Sequence, residues 1–181
     1  MKSKLVVCLF LGLACASGLF AQGVEISSGY SFLRSRPDFN RHGWVANVTG
    51  NVNSWFGVKG EFGGDYTDVA HRDVHSFLGG AQFNLPGTDR FRPWSHFLSG
   101  VARVGDGAQL INFEAVLRGA PPVFLPSTQT DVVIQPGGGI DFWLRPTWGI
   151  RLGADYRRRM TGLPLDRDSF RLQAGLVFKI K

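Results

Sequence analysis

Cysteine is missing from everything after residue 21. The two cysteines in the chain, Cys8 and Cys15, lie in its first stretch. Disulfides, thiolate metal sites and cysteine nucleophiles are therefore excluded together for the remainder. Long apolar runs are missing as well: beyond the N-terminus nothing approaches the roughly 18 consecutive apolar residues of a spanning helix. With 44% hydrophobic residues and a mean hydropathy of −0.01, the composition excludes a helical membrane protein. A strong charge excess is also lacking. The formal net charge of +6 includes Lys2 and Lys4 at the start of the chain, and the remaining charges alternate in sign, unlike the basic stripe of a nucleic-acid binder. Glycine, by contrast, is abundant at 24 residues and falls inside strand-like segments, where it would weaken a soluble sheet. A closed barrel in lipid tolerates it, because the backbone has no alternative partners there.

Residues 1–21 have the order of a secretory signal peptide. Lys2 and Lys4 form the charged start, Leu5 to Leu13 the apolar core, and Ala21 precedes the expected cut. Lipidation at Cys15 is the alternative, although Gly12 stands where a lipoprotein signal carries leucine. This leaves residues 22–181 as one domain, a length that suits a single core.

Two stretches near the C-terminus set the pattern for that domain. Trp148, Ile150, Leu152, Ala154 and Tyr156 alternate with charged or tiny residues. The alternation returns in Phe170, Leu172, Ala174, Leu176, Phe178 and Ile180 against Arg171, Gln173 and Lys179. A strand about ten residues long with one fully apolar face is the unit that crosses a bilayer as part of a barrel. The same pattern appears in strands starting at Val24, Trp44 and Phe56, and around Phe77. A fifth strand, Arg92 to Val104, has apolar residues on both parities, so its facing stays open. A sixth, Asp131 to Leu144, carries Pro136 near its middle, which predicts a bulge or distorted pairing. Gly105 to Thr130 reads as the longest connection, because Pro121, Pro122 and Pro126 argue against central-strand pairing. The prediction is an all-β chain forming an eight-stranded antiparallel up-and-down transmembrane β-barrel. Its connections alternate short (53–54, 84–91, 145–146) and long (33–42, 67–72, 105–130, 158–168), as periplasmic turns and outer loops do.

Which face points out is decided by the charges. Lys59, Glu61, Asp65, Asp141, Arg151, Asp155, Arg157 and Arg171 share the inward parity with Glu25 and Lys179. Mixed in sign, they predict a lumenal network of mutual neutralisation and no continuous pore, since eight strands enclose a space that side chains just fill. A gated channel is the competing reading. Aromatic residues gather into two belts, with Trp55, Phe56, Phe83, Trp94, Trp148 and Phe178 at one end and Tyr30, Phe32, Trp44, Tyr66, Tyr156 and Phe170 at the other. Arg34, Arg36, Arg41, Arg158, Arg159 and Arg167 cluster in the outer connections. They are candidates for charge-assisted contacts to lipopolysaccharide phosphates.

Gly29-Tyr30-Ser31-Phe32, the run Gly-Val-Lys-Gly-Glu-Phe at 57–62, and Gly149-Ile150-Arg151-Leu152 with Asp155-Tyr156 resemble the small outer-membrane barrels related to the transmembrane domain of OmpA. The resemblance spans Val24 to Ile180. It implies a monomer in the bacterial outer membrane, exported through the periplasm, inserted by the barrel-assembly machinery and surrounded by outer-membrane lipid and lipopolysaccharide. Structural or surface-interaction work is expected, without a cofactor, a metal or a nucleic-acid partner. Members of the lipid A deacylase family carry His and Ser two positions apart on one strand face. Here His75-Ser76 and Ser95-His96 are adjacent and so point to opposite faces, which leaves a lipid A-modifying enzyme as the alternative. A loop metal site at His42, His71 and His75 with Asp38 and Asp73 matches no ligand spacing.

Overall fold

The computed structural model describes residues 23–35, 39–67, 72–110, 117–119, 121, 124–160 and 167–180. Residues 1–22, Arg36, Asp38 and His71 lie outside them. Eight strands follow in chain order: β1 (Val24–Ser35), β2 (Phe39–Asn51), β3 (Phe56–Thr67), β4 (Arg72–Asn84), β5 (Phe91–Leu110), β6 (Phe124–Arg145), β7 (Trp148–Met160) and β8 (Asp168–Ile180). Each pairs antiparallel with the next, and β8 closes onto β1 from Val24↔Ile180 to Ser35↔Ser169. Closure removes every sheet edge in the wall, so no backbone polar group there faces an apolar surrounding unpaired.

The predicted faces hold. Ile26, Tyr30, Phe62, Phe77, Leu152, Phe170 and Phe178 lie exposed on the outside, whereas Glu25, Lys59, Glu61, Asp141, Arg151 and Arg171 are buried within. On β5, whose facing the sequence leaves open, Trp94, His96, Leu98, Ala102 and Val104 point inward and Phe97 and Val101 outward. Its inward residues are largely apolar because one part of the lumen is an apolar cluster of Val74, Leu78, Leu98, Ala102, Val104 and Val133. Trp94 thus belongs to the interior and not to an aromatic belt.

Strand ends differ from the expectation. Arg34 pairs with Asn40 and Leu33 with Arg41, so the first connection is 36–38 and not 33–42. At this end only 111–123 and 161–167 are longer than every turn at the other end (52–55, 85–90 and 146–147), so the alternation of short and long connections is confined to those two. The expected 105–130 loop is shortened to 111–123: Gln109↔Leu125 and Ala108↔Pro126 are paired, with a register shift between Asp106 and Ala108. The reason is physical. Residues 105–110 and 124–130 mix glycine, proline, apolar and polar residues without period-two alternation, so they read as loop although backbone pairing continues. Pro126 fits because, among the described residues, β6 has no second neighbour there: its described pairing with β7 begins at Val132. Around Pro136 the β6–β7 ladder is interrupted between Ile134↔Arg158 and Gly137↔Asp155, the distortion that proline predicts.

At the opposite end, turn chemistry is local. Asn53 Oδ1 accepts hydrogen bonds from the backbone N–H of Trp55 (3.0 Å) and Phe56 (2.7 Å), the side-chain-made turn that Asn favours.

Candidate functional site in the lumen and at the outer rim

The lumen holds two charge clusters with an indole between them. In the first, Arg151 grips Asp141 with two hydrogen bonds, Nε to Oδ1 and Nη2 to Oδ2, each 2.7 Å. Its Nη2 also donates to Glu25 over 3.2 Å, and Arg92 Nη1 donates to the same carboxylate over 2.6 Å. In the second, Arg171 donates to Asp155 (2.6 Å) and to Glu61 (2.8 Å). Gln135 then bridges, giving its amide N–H to Glu61 over 3.0 Å and accepting from Arg157 Nε over 2.8 Å. Arg157 Nη1 reaches Asp65 at 3.1 Å, and Ser31 donates to that carboxylate at 2.9 Å.

Trp94 joins the two clusters. Lys59 Nζ lies 4.5 Å from its ring centroid and the Arg151 guanidinium 5.2 Å, both within cation–π range, and its Nε1 donates to Asp141 at 3.1 Å. Beyond it, Lys59 Nζ is 3.0 Å from His96 Nδ1, and His96 Nε2 is 3.0 Å from Asp155 Oδ1. Glycine makes the room: a methyl group on Gly137 would collide with Asp155 and His96, and one on Gly139 with the Trp94 ring.

All eight lumenal charges named from sequence, Lys59, Glu61, Asp65, Asp141, Arg151, Asp155, Arg157 and Arg171, come together here. Sequence reasoning left Trp94, His96 and Gln135 outside the network. Trp94 and His96 ride on the strand whose parity was ambiguous, and Gln135 neighbours Pro136, where the pattern is broken. The arrangement is a packed, charge-compensated core. A void of about 10 Å³ lined by Ser27, Asn47, Arg151 and Gln173 has room for about one water at most.

The proposed rim arginines separate into groups. Arg34 and Arg158 are exposed and Arg167 is half-buried, whereas Arg41 and Arg159 are buried, 4% and 6% exposed, and turn into the barrel mouth. Parity explains it: Arg159 continues the inward series Arg151, Asp155, Arg157 and lies 3.7 Å from Asp131. Arg158 Nε stands 3.9 Å from Asp168, both side chains about half exposed. Arg36 falls outside the described residues.

His75 is exposed while Ser76 is buried, and His96 is buried while Ser95 is only half-buried on the other parity. His42 and His75 sit on different strands. Tyr30 Oη hydrogen-bonds His42 Nδ1, and among the described residues no three His, Cys, Asp or Glu side chains converge as metal ligands.

An apolar outer wall around a largely polar, side-chain-filled interior defines a class: a small closed barrel of the membrane type, inverted relative to a soluble ligand carrier. No protein-family model matches the chain, and no curated protein sequence matches it. Among solved structures it is similar to Neisserial surface protein A, at 13% identity and a TM-score of 0.64, over 87% of this chain and 96% of that one. Ail of Yersinia pestis, in complex with the heparin analogue sucrose octasulfate, is 18% identical with a TM-score of 0.53, over 86% and 99%. The outer membrane enzyme PagL is 12% identical with a TM-score of 0.52, over 86% and 99%. The chain therefore has the fold of the small eight-stranded outer-membrane barrels.

Proposed function

We propose that this chain is a bacterial outer-membrane barrel with a structural and surface-interaction role, exported to the periplasm behind residues 1–21 and inserted as a monomer by the barrel-assembly machinery. The observation that carries the reading is the contrast between a closed interior and an open outer end. Charge pairs fill the lumen, which leaves no path for transport. At the outer end, among the described residues, β5 beyond Gly105 and β6 before Val132 are paired with each other and with no other strand. This ribbon stands above the wall by five residues of β5, on the order of 17 Å at strand rise. A two-stranded ribbon of this kind suits recognition by strand addition.

Arg34, Arg158 and Arg167 add a basic rim where β1 meets β8 and suit oxyanions such as lipopolysaccharide phosphates. That Ail is held in complex with the heparin analogue sucrose octasulfate supports an anionic partner for a barrel of this fold.

The test has two arms. Unboiled protein extracted in detergent should migrate differently from boiled protein in SDS, as closed membrane barrels commonly do. Arg34→Gln with Arg158→Gln and Arg167→Gln should lower co-purified lipopolysaccharide while keeping that mobility difference. Protein recovered in a detergent-free wash would overturn the membrane placement. Undiminished lipopolysaccharide would overturn the role of the rim.

A further inference from the structure

A recess on the outside of the wall has no part in the reading above. It spans β2 to β5, encloses about 340 Å³ and is lined by Trp44, Phe62, His75, Phe77, Val101 and Arg103. One row of the ladder builds its polar end: Trp44 pairs with Gly64, Gly64 with His75, and His75 with Arg103. Gly64 lacks a side chain, so the Trp44 indole lies over it. A Cβ there would meet Trp44 Nε1 and Tyr66 Oη, each at 2.8 Å. Trp44 Nε1 donates to Tyr66 Oη over 3.3 Å, and His75 meets the Tyr66 ring edge-on with centroids 5.8 Å apart. Phe62 and Phe77 pack edge to face at 4.7 Å and, with Val101, form the apolar part.

Arg103 points to the occupant. It is exposed on the outward face, two residues below Gly105, where pairing with β4 ends. Among the described residues its guanidinium has no hydrogen-bond or ion-pair partner, and Asp73, the next outward residue on β4, is not joined to it. An unpaired cation on a lipid-facing wall is costly unless an anion meets it. An apolar trough ending in Arg103, His75 and the Tyr66 hydroxyl matches an amphiphile whose oxyanion stands at the head of its acyl chains.

We propose that this recess binds one phosphorylated acyl-glycolipid of the outer leaflet, with its phosphate on Arg103 and His75 and an acyl chain along Phe62, Phe77 and Val101. The site rests on the membrane placement proposed above and is independent of Arg34 of β1, Arg158 of β7 and Arg167, the residue before β8.

Native mass spectrometry of the full chain in detergent, with lipid A as probe, tests it. Wild type should retain one lipid A, and Arg103→Gln with His75→Gln should lower that occupancy at least tenfold. Val101→Trp, which fills the trough without touching a charge, should do the same. Dephosphorylated lipid A and phosphatidylglycerol should both bind at least tenfold more weakly than lipid A. The Arg34, Arg158, Arg167 triple variant should keep its lipid A, which separates this site from the rim. Undiminished retention by the Arg103 and His75 variant, or equal retention of dephosphorylated lipid A, would overturn the site. Equal binding of phosphatidylglycerol would overturn its assignment to the glycolipid and leave a general anionic-lipid annulus. Water solubility without detergent would instead overturn the membrane placement.

Discussion

Arg171→Met removes the cation that serves two buried carboxylates at once. Arg171 is 1% exposed, with Nη2 2.8 Å from Glu61 and Nε and Nη2 at 2.9 and 2.6 Å from Asp155 Oδ2. Methionine keeps much of the volume and none of the charge. Leaving a buried charge uncompensated costs about 3–5 kcal/mol. Here each carboxylate retains help: Glu61 keeps Gln135 at 3.0 Å and Arg157 at 3.7 Å, and Asp155 keeps Gln173 at 3.2 Å and His96 at 3.0 Å. The loss therefore falls at the lower end, about 3 kcal/mol, or on the order of 150-fold in the folding equilibrium. Urea unfolding in lipid vesicles, followed by tryptophan fluorescence, measures it through the transition midpoint. Adding Asp155→Asn to Arg171→Met, which removes one negative charge for the one positive charge lost, should recover at least half of the loss, because the penalty comes from the stranded charge and not from the missing side chain. A single-variant loss below about 1 kcal/mol, the size typical of a solvated pair, would refute the reasoning. So would an absence of recovery.

Two further substitutions probe the packing of the lumen. Gly137→Ala should destabilise by about 1–3 kcal/mol through overpacking, since its methyl would strike Asp155 and His96, whereas at Gly60 an added Cβ meets nothing within 4 Å and Gly60→Ala should stay within about 0.5 kcal/mol; equal midpoints for the two would contradict the tight fit. Trp94→Ala removes the ring between the two charge clusters, so planar bilayers should show ion steps for this variant and none for wild type. Steps of the same size in both would mean that the lumen already conducts.

How much of this was legible follows from which surroundings act on which face. Lipid imposes the same demand along the whole outer wall, so alternation stands out wherever the inner residues are polar, as on β1, β3, β7 and β8. The lumen makes no uniform demand. Charges fill much of it, but Val74, Leu78, Leu98, Ala102, Val104 and Val133 pack one region. A strand passing through that region is apolar on both sides, so period two alone cannot orient β5. Trp94 was drawn to an aromatic belt by its place near a strand end, but parity with His96 and Leu98 puts it inside. Arg41 and Arg159 are the same lesson at the rim. Their sequence context is polar on both sides, so only continued pairing, Leu33↔Arg41 and Val133↔Arg159, shows that the strands keep their phase past the lipid and carry these side chains inward.

The glycines show what a pattern without a third dimension conceals. In sequence they look tolerated, residues that a closed barrel permits at little cost. On β6 they are required, because Gly137 and Gly139 stand across the lumen wall from the largest inward groups of β5 and from Asp155 of β7. Trp94 and His96 occupy the volume that those glycines vacate, and both cations that flank the Trp94 ring depend on its staying there. The filled lumen therefore comes from pairing large with absent side chains across neighbouring strands as much as from pairing charges. Widening it should require the loss of the ring, and neutralising a single carboxylate should leave it closed.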